Sequence, residues 1–570
     1  MIFLIFAFIV VGTLLLGNGA LFSSIIRLNS VRNPFLYFWL GIFFTSTLAM
    51  FASFFVPLNN FALACFTLLG IGGLPKFIKD FRENFAEIQR SKKILFALFS
   101  FVTIIAVCRY LGFTPLSHNY AYDTALYHAN AVQWLNEFGA VFGLGNLHSR
   151  LGMNSLWLTF AAILDNFIFN GRTSWILPSL CLIGGFLFFG YEIFKTSSRK
   201  IAVFCAVFLS FIIFMQLVRP IQPILGIYFD LVVFFVYAIT VLEVYCFVIQ
   251  KRTKESIPIL SCILVLAVFS FMLKQIGAIN CIFAFLFVLY VLLSNRESFV
   301  KNAIKVFLPA GLAFLVMIAN NAVLSGYLFF PLQIFAMPFD WTMPKELVKG
   351  TYEAVVYWAR LPGPLYMTVA ENGFWYWFEP WLVRHNTKFN WVIYVIPFVL
   401  SFFLWAKTVL IKRDKTAIFF LIWSFANILF WFNSAPDLRF GAGFFFVNIA
   451  LALMFFVRDT DFTVSLLWDN KLSRKIICIL TCAFIVALVI IPFSRHTHSI
   501  LTIGKMGSEG VHEYKVNNVD NPYYVWVPNK GDQVGNSPLP ATPYPKILET
   551  YGIEMRNKDF LGAGFRATRQ

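Results

Sequence analysis

Residues 228–249 read YFDLVVFFVYAITVLEVYCFVI. A run of this length and polarity is solvated only by lipid or by other runs like it, because about 20 apolar residues in a helix cover the roughly 30 Å hydrocarbon core of a bilayer. The same reading extends along the chain. Of 570 residues, 59% are apolar and 13% charged, against about 25% charged in soluble domains. That composition excludes a soluble enzyme, a nucleic-acid reader and a disordered scaffold. The excess of 45 Lys+Arg over 28 Asp+Glu, a formal +17, is therefore tested first as positive-inside bias.

Spanning helices are expected at 1–22, 35–56, 60–75, 94–112, 174–194, 201–218, 228–249, 257–273, 276–293, 305–325, 391–410, 416–433, 441–457 and 475–493, about fourteen in all. The first 22 residues lack a basic n-region and read as a retained helix rather than a signal peptide. The nine cysteines lie in or beside apolar segments with no CxxC pair, so they read as small core residues.

Basic segments fall at Arg27 and Arg32, 76–93, 195–200, 251–254, 296–305, 407–415 and 458–475. They share one side only if 155–170, which contains Asp165 and Asn166, does not cross. This stretch is accordingly expected as a half-helix or peripheral helix on the outer face. The N-terminus, 113–173, the turn around Arg219–Asp230, 326–390 and the tail 494–570 then lie outside. The expected fold is an all-α polytopic bundle. It has a three-helix extension (1–93), a membrane domain (94–493) and a small extracytoplasmic α+β or irregular domain (494–570). No Walker A pattern or strand-linked GxGxxG is present, so no nucleotide is implied.

The first outer loop, 118–150, reads HNYAYDTALYHANAVQWLNEFGAVFGLGNLHSR. A helix starting at Asp123 places Asp123, Tyr127, Asn130, Trp134 and Glu137 on one stripe, with Ala125, Ala129 and Val132 opposite. The polar stripe is expected to face a cleft shared with 326–390. Asp123 has two readings, an N-cap and a general base acting on an acceptor hydroxyl.

Asp123-x-x-x-Tyr127 on an amphipathic helix after a spanning segment resembles the first outer loop of GT-C-type glycosyltransferases. The stretch Asn146-Leu147-His148-Ser149-Arg150-Leu151-Gly152-x-Asn154-Ser155 resembles a family of uncharacterised bacterial membrane proteins of that class. The resemblance covers mainly 94–200. It implies a polyprenyl-phosphate-linked sugar as donor, an extracytoplasmic acceptor, residence in the bacterial inner membrane, and Asp123 as catalytic base. Thr124 stands where many such enzymes carry a second acid, so no metal-binding acidic pair and no cofactor is implied.

Other polar groups supply the rest of the expected site. His118, His128 and His148 lack metal-ligand spacing; His128, Tyr127 and Trp134 read as acceptor or sugar contacts. Lys274 has no acid beside it in sequence, and Arg439 closes the short turn after Asp437. With Arg150 they read either as a clamp for the donor phosphate or as snorkelling and Asp437-paired cations. In 326–390, Trp375, Trp377 and Trp381 read as an interfacial belt or as a sugar platform in which Trp377 stacks and Glu379 binds hydroxyls. Glu371 and Glu379 rival Asp123 as the carboxylate. Two other functions fit the composition: a polymerase or ligase of lipid-linked glycans, and a transporter of envelope components.

Overall fold

The computed structural model describes residues 1–29, 31–113, 121–218, 225–249, 256–294, 298–411, 413–458, 510–517, 520 and 522–569. Among them ten helices are long and apolar enough to cross a membrane, and Leu36–Ala52 and Ile257–Leu273 are shorter apolar helices. The protein is an all-α polytopic membrane protein with little sheet. Every segment expected to span coincides with a helix except 475–493, which lies outside the described residues, as do His118 and the first part of the tail.

The helices are α1 (Ile2–Ile25), α2 (Leu36–Ala52), α3 (Asn60–Ala86) and α4 (Arg90–Phe113), then α5 (Ala129–Glu137) and α6 (Leu156–Leu164) in the first outer loop. Next come α7 (Thr173–Lys195), α8 (Arg199–Val218), α9 (Asp230–Ile249), α10 (Ile257–Leu273), α11 (Ala278–Leu293) and α12 (Phe299–Ser325). Helices α13 (Lys345–Arg360) and α14 (Gly373–His385) precede α15 (Lys388–Ile411), α16 (Lys415–Ser434) and α17 (Leu438–Phe456).

Glycines let the first three helices close on one another. A Cβ added at Gly19 of α1 would sit 1.7 Å from the Tyr37 carbonyl oxygen of α2, so only a hydrogen fits there. Helix α6 corrects one expectation. Its nine residues are all buried, so it is an element of the bundle core rather than a peripheral helix. At about 1.5 Å per residue it is also far too short to cross. Ser155 caps it and also donates to the Leu273 carbonyl oxygen at 2.8 Å, which brings its start to the end of α10.

Loops gather at two ends. At one end Arg32 and Asn33 meet Glu192, and Lys195 meets Asn84 and Glu87. At the other, Ala140 donates to Ser53, Leu58 to Leu135, Gly226 to Ser174 and Gly143 to Val323, all at 2.8 Å. The C-terminal residues sit at this second end. They form two antiparallel pairs, β1 (Val511–Val516) with β2 (Tyr523–Pro528) and β3 (Ile553–Met555) with β4 (Phe565–Ala567), with α18 (Pro545–Thr550) between them. Phe565 donates to Phe142 at 3.0 Å, and Arg556 grips both carboxylate oxygens of Asp340.

Candidate functional site

Four charged side chains from four remote segments form one continuous chain at the second end. Lys274, in the tight turn between α10 and α11, donates to Asp230 at 2.6 Å; Asp230 opens α9 and is buried. The other carboxylate oxygen of Asp230 lies 3.6 Å from Arg439 Nε, and Arg439 Nη2 lies 2.9 Å from Asp123. The order is therefore Lys274, Asp230, Arg439, Asp123, alternating in sign. The sequence places Lys274 without a neighbouring acid because its partner is 44 residues away. Asp437 adds its charge to those of Asp123 and Asp230 acting on Arg439. It caps α17, accepting the Arg439 backbone N–H at 2.8 Å.

Aromatic rings confine the cations. The Lys274 ammonium lies 3.2 Å from the Phe440 ring centroid, and the Arg439 guanidinium lies 5.3 Å from that of Tyr228. Ring faces carry negative charge density and favour this placement. Yet the side chains of Asp123, Lys274 and Arg439 keep 17%, 20% and 23% of their surface accessible. These three side chains are thus only partly enclosed by the protein.

The segment carrying Asp123 has an unusual local shape. Asp123 is already helical (φ −65°, ψ −28°) and its side chain makes no capping hydrogen bond. The N-cap reading is therefore overturned: the carboxylate is spent on Arg439. Residues Thr124–His128 form a π turn in which the Ala129 N–H reaches back to the Thr124 carbonyl. Single π turns inserted in α-helices recur at functional sites. The turn also explains why the expected stripe fails, since each π bond spans one residue more than an α bond and rotates everything beyond it.

Trp134 consequently does not face a cleft. It is fully buried, with its ring edge-on to Phe565 of β4 at 6.0 Å. Asn130 is buried as well, and Glu137 lies at the surface with Gln133. Tyr127 is buried beside the site, 5.8 Å beneath the Arg150 guanidinium. His128 is buried at 1% exposure, with Nδ1 3.4 Å from Thr124 Oγ1 and Nε2 without a partner. Thr124 Oγ1 also accepts the Ile227 N–H at 2.9 Å.

The remaining expected residues lie elsewhere. Trp377 is buried against Phe374, Phe378 and Phe432, with Arg360 over its face at 5.1 Å. It has no free ring for a sugar. Glu379 and Glu371 are exposed, and no ion pair joins Glu379 to the chain of charges. The 326–390 segment does touch the neighbourhood through its second helix: Trp381 Nε1 donates to the Pro436 carbonyl at 2.7 Å, beside the turn that launches α17. The cleft expected between Asp123 and that segment is not what faces Asp123; Arg439 and Tyr228 do.

Electrostatics around Asp123 is decided by competition. Burial raises its pKa, but the positive charge of Arg439, with Arg150 adding to it, overrides burial and holds the carboxylate at about 2. Burial dominates at His128, whose pKa falls to about 3, so the ring is neutral. His148 is also lowered to about 3 by burial, with Arg150 contributing. Asp230, Tyr228 and Thr124 escaped the sequence reading as site residues. Asp230 had a signal, since an acid heading an apolar run needs a partner. Among the described residues no group of three or more His, Cys, Asp or Glu is placed to hold a metal ion.

A family model described as a domain of unknown function, DUF8201, matches residues 1–446, which takes in the three N-terminal helices and the whole chain of charges. No curated protein and no solved structure matches.

Proposed function

The chain belongs to the DUF8201 family, and from its site we propose a membrane glycosyltransferase that moves a sugar from a polyprenyl-phosphate-linked donor to an acceptor hydroxyl on the extracytoplasmic face. The observation that carries this reading is the convergence of three cations at one end of the bundle. Arg150, Lys274 and Arg439 gather around Asp123 and Asp230, with Asp437 adding its charge at Arg439. Arg150 lies over the Tyr127 ring, and its guanidinium has no ion pair among the described residues. A phosphate is matched by such a cluster, and Arg supplies forked donors for it.

Arg439 links binding to chemistry. A phosphate competing for its guanidinium weakens the pair with Asp123, and the carboxylate then rises from about 2 towards its ordinary range and gains basicity. In the transfer, Asp123 takes the acceptor hydroxyl proton and the acceptor oxygen bonds to the sugar anomeric carbon. The anomeric carbon–oxygen bond to phosphate breaks with its electron pair going to the phosphate, held by Arg439, Lys274 and Arg150. Displacement from the opposite face inverts the anomeric centre. Positive-inside placement of the basic loops supports an outward-facing site in a bundle of about fourteen spans in the bacterial inner membrane.

The test uses the full chain in nanodiscs with polyprenyl monophosphate and with a radiolabelled polyprenyl-phosphate sugar. Asp123→Asn should keep polyprenyl monophosphate binding while transfer falls about 100-fold or more, the scale of general-base loss. Near-wild-type transfer by this variant, or no binding of polyprenyl monophosphate by the wild type, would reject the reading.

A further inference from the structure

Residues 122–125 are held from two directions. From one side come the residues just before α9: the Asp123 N–H donates to the Tyr228 hydroxyl at 3.1 Å, and the Ile227 N–H to Thr124 Oγ1 at 2.9 Å. From the other comes the turn after β2. There the Tyr122 hydroxyl donates to the Asp532 carboxylate, and the Val534 and Gly535 N–H groups both donate to the Ala125 carbonyl oxygen, at 3.0 and 2.7 Å. Asp123 lies between Tyr122 and Ala125, so the chain on either side of it is fixed by residues some 400 positions away in sequence.

We propose that the C-terminal domain completes the site, with Asp532 and the Val534–Gly535 backbone acting as positioning groups that set the Asp123 segment in register with Arg439. The inference rests on the glycosyltransferase reading for its catalytic consequence but not for its structural one. A π turn gives up the regular bonding of the helix. Its geometry is therefore only as fixed as the partners that take up its free groups. Ala125 O lies inside that turn and accepts two outside donors, which engages both lone pairs. Val534 itself is fully buried, so these bonds form away from competing water and are costly to break.

The rest of the interface makes the domain a rigid reference. Thr542 Oγ1 donates to the Leu147 carbonyl at 3.0 Å, and Phe565 packs on Trp134. At Gly143 (φ +62°) an added Cβ would lie 2.2 Å from the Phe565 carbonyl oxygen, so the first outer loop and β4 meet backbone to backbone. These contacts lie away from Asp123. The domain can therefore stay docked when the Tyr122–Asp532 bond is removed, which is what allows positioning to be separated from docking.

The experiment takes the full chain in nanodiscs with Asp532→Asn, Tyr122→Phe and the double variant, and reads two quantities. The first is hydrogen exchange. Amides of 121–128 should exchange about tenfold faster in each variant, the equivalent of one hydrogen bond to a charged group, while amides around Leu147 and Phe142 keep wild-type protection. The second is transfer from a polyprenyl-phosphate sugar. Here kcat should fall about tenfold with KM unchanged, and the double variant should be no worse than the poorer single, since both remove one interaction. Unchanged exchange at 121–128 overturns the proposal, and so does equal deprotection of the whole interface, which would mean simple undocking. If the variants loosen 121–128 but the wild type transfers no sugar, the positioning role stands and the catalytic reading falls.

Discussion

The two ends of the bundle both bury charge, and they do so in opposite ways. At the basic end Arg32 pairs with Glu192 and with Glu243, Asn33 donates to Glu192 at 2.8 Å, and Lys195 binds the Arg32 carbonyl at 3.0 Å. Acids there match or exceed the cations, and the cluster straps the α1–α2 connection to α7 and α9. At the other end Arg150 lies over the Tyr127 ring and forms no ion pair among the described residues. One helix serves both clusters: the run 228–249 carries Asp230 at its head and Glu243 thirteen residues on, about 20 Å along the axis. A closed cluster needs nothing from outside; an open one is stable only with water or an anion beside it.

The comparison breaks most visibly at Arg32. Arg32→Met would remove the cation that joins Glu192, 1% exposed, to Glu243. Removing one partner from a buried pair costs about 3–5 kcal/mol, whereas removing all partners together costs far less. Denaturant unfolding of the solubilised protein should show a loss of that order for Arg32→Met, largely recovered when Glu192→Gln and Glu243→Gln are added. A single variant within about 1 kcal/mol of wild type would mean that the basic end is not a clasp.

Acid should distinguish the ends next. Among the described residues the buried histidines, His128 and His148, lie at the open end. Each is pushed from 6.5 to about 3, chiefly by burial, so between those values the unfolded chain binds a proton that the folded chain refuses. Stability from each is fully present above pH 6.5 and declines as pH falls towards 3. At pH 5 the loss is about 2 kcal/mol per histidine. The unfolding midpoint should drop between pH 7 and pH 5, and His128→Gln with His148→Gln should flatten most of that slope. A slope unaffected by the double variant would place the acid sensitivity elsewhere.

Much of this was legible in the sequence because lipid imposes simple rules. Long apolar runs mark helices, and the side taken by Lys and Arg decides that 155–170 stays short. Asp123, Lys274, Arg439 and Arg150 each stood out singly, since charge near an apolar segment is costly. Their pairing was not legible, because Asp230 meets Lys274 and Arg439 only once α9, α10 and α17 bring their ends together. The stripe through Trp134 failed for a different reason. A 3.6-residue period assumes unbroken α bonding, and nothing in Thr124-Ala-Leu-Tyr-His128 announces a π turn. Trp377 and Glu379 were read from composition, which does not say that Phe432 already fills the space beside the indole.

The smallest stability effect belongs to Arg150, and its smallness is the point. Its guanidinium lies 5.8 Å from the Tyr127 ring and forms no ion pair among the described residues, so Arg150→Ala removes a cation–π contact and breaks no ion pair there. The expected change in unfolding free energy is within about 0.5 kcal/mol. Lys274→Ala, by contrast, strips Asp230 of a partner at 2.6 Å and should destabilise by more than that. Anion binding should reverse the emphasis. A charge-assisted hydrogen bond to phosphate contributes about 1.5–3 kcal/mol, so Arg150→Ala should weaken polyprenyl monophosphate binding about tenfold to 100-fold in Kd. The salt dependence of binding should also become shallower, because one screened attraction has been removed. A variant that binds as the wild type does but unfolds as readily as Lys274→Ala would make Arg150 a structural residue, and the open end would then be as closed as the basic one.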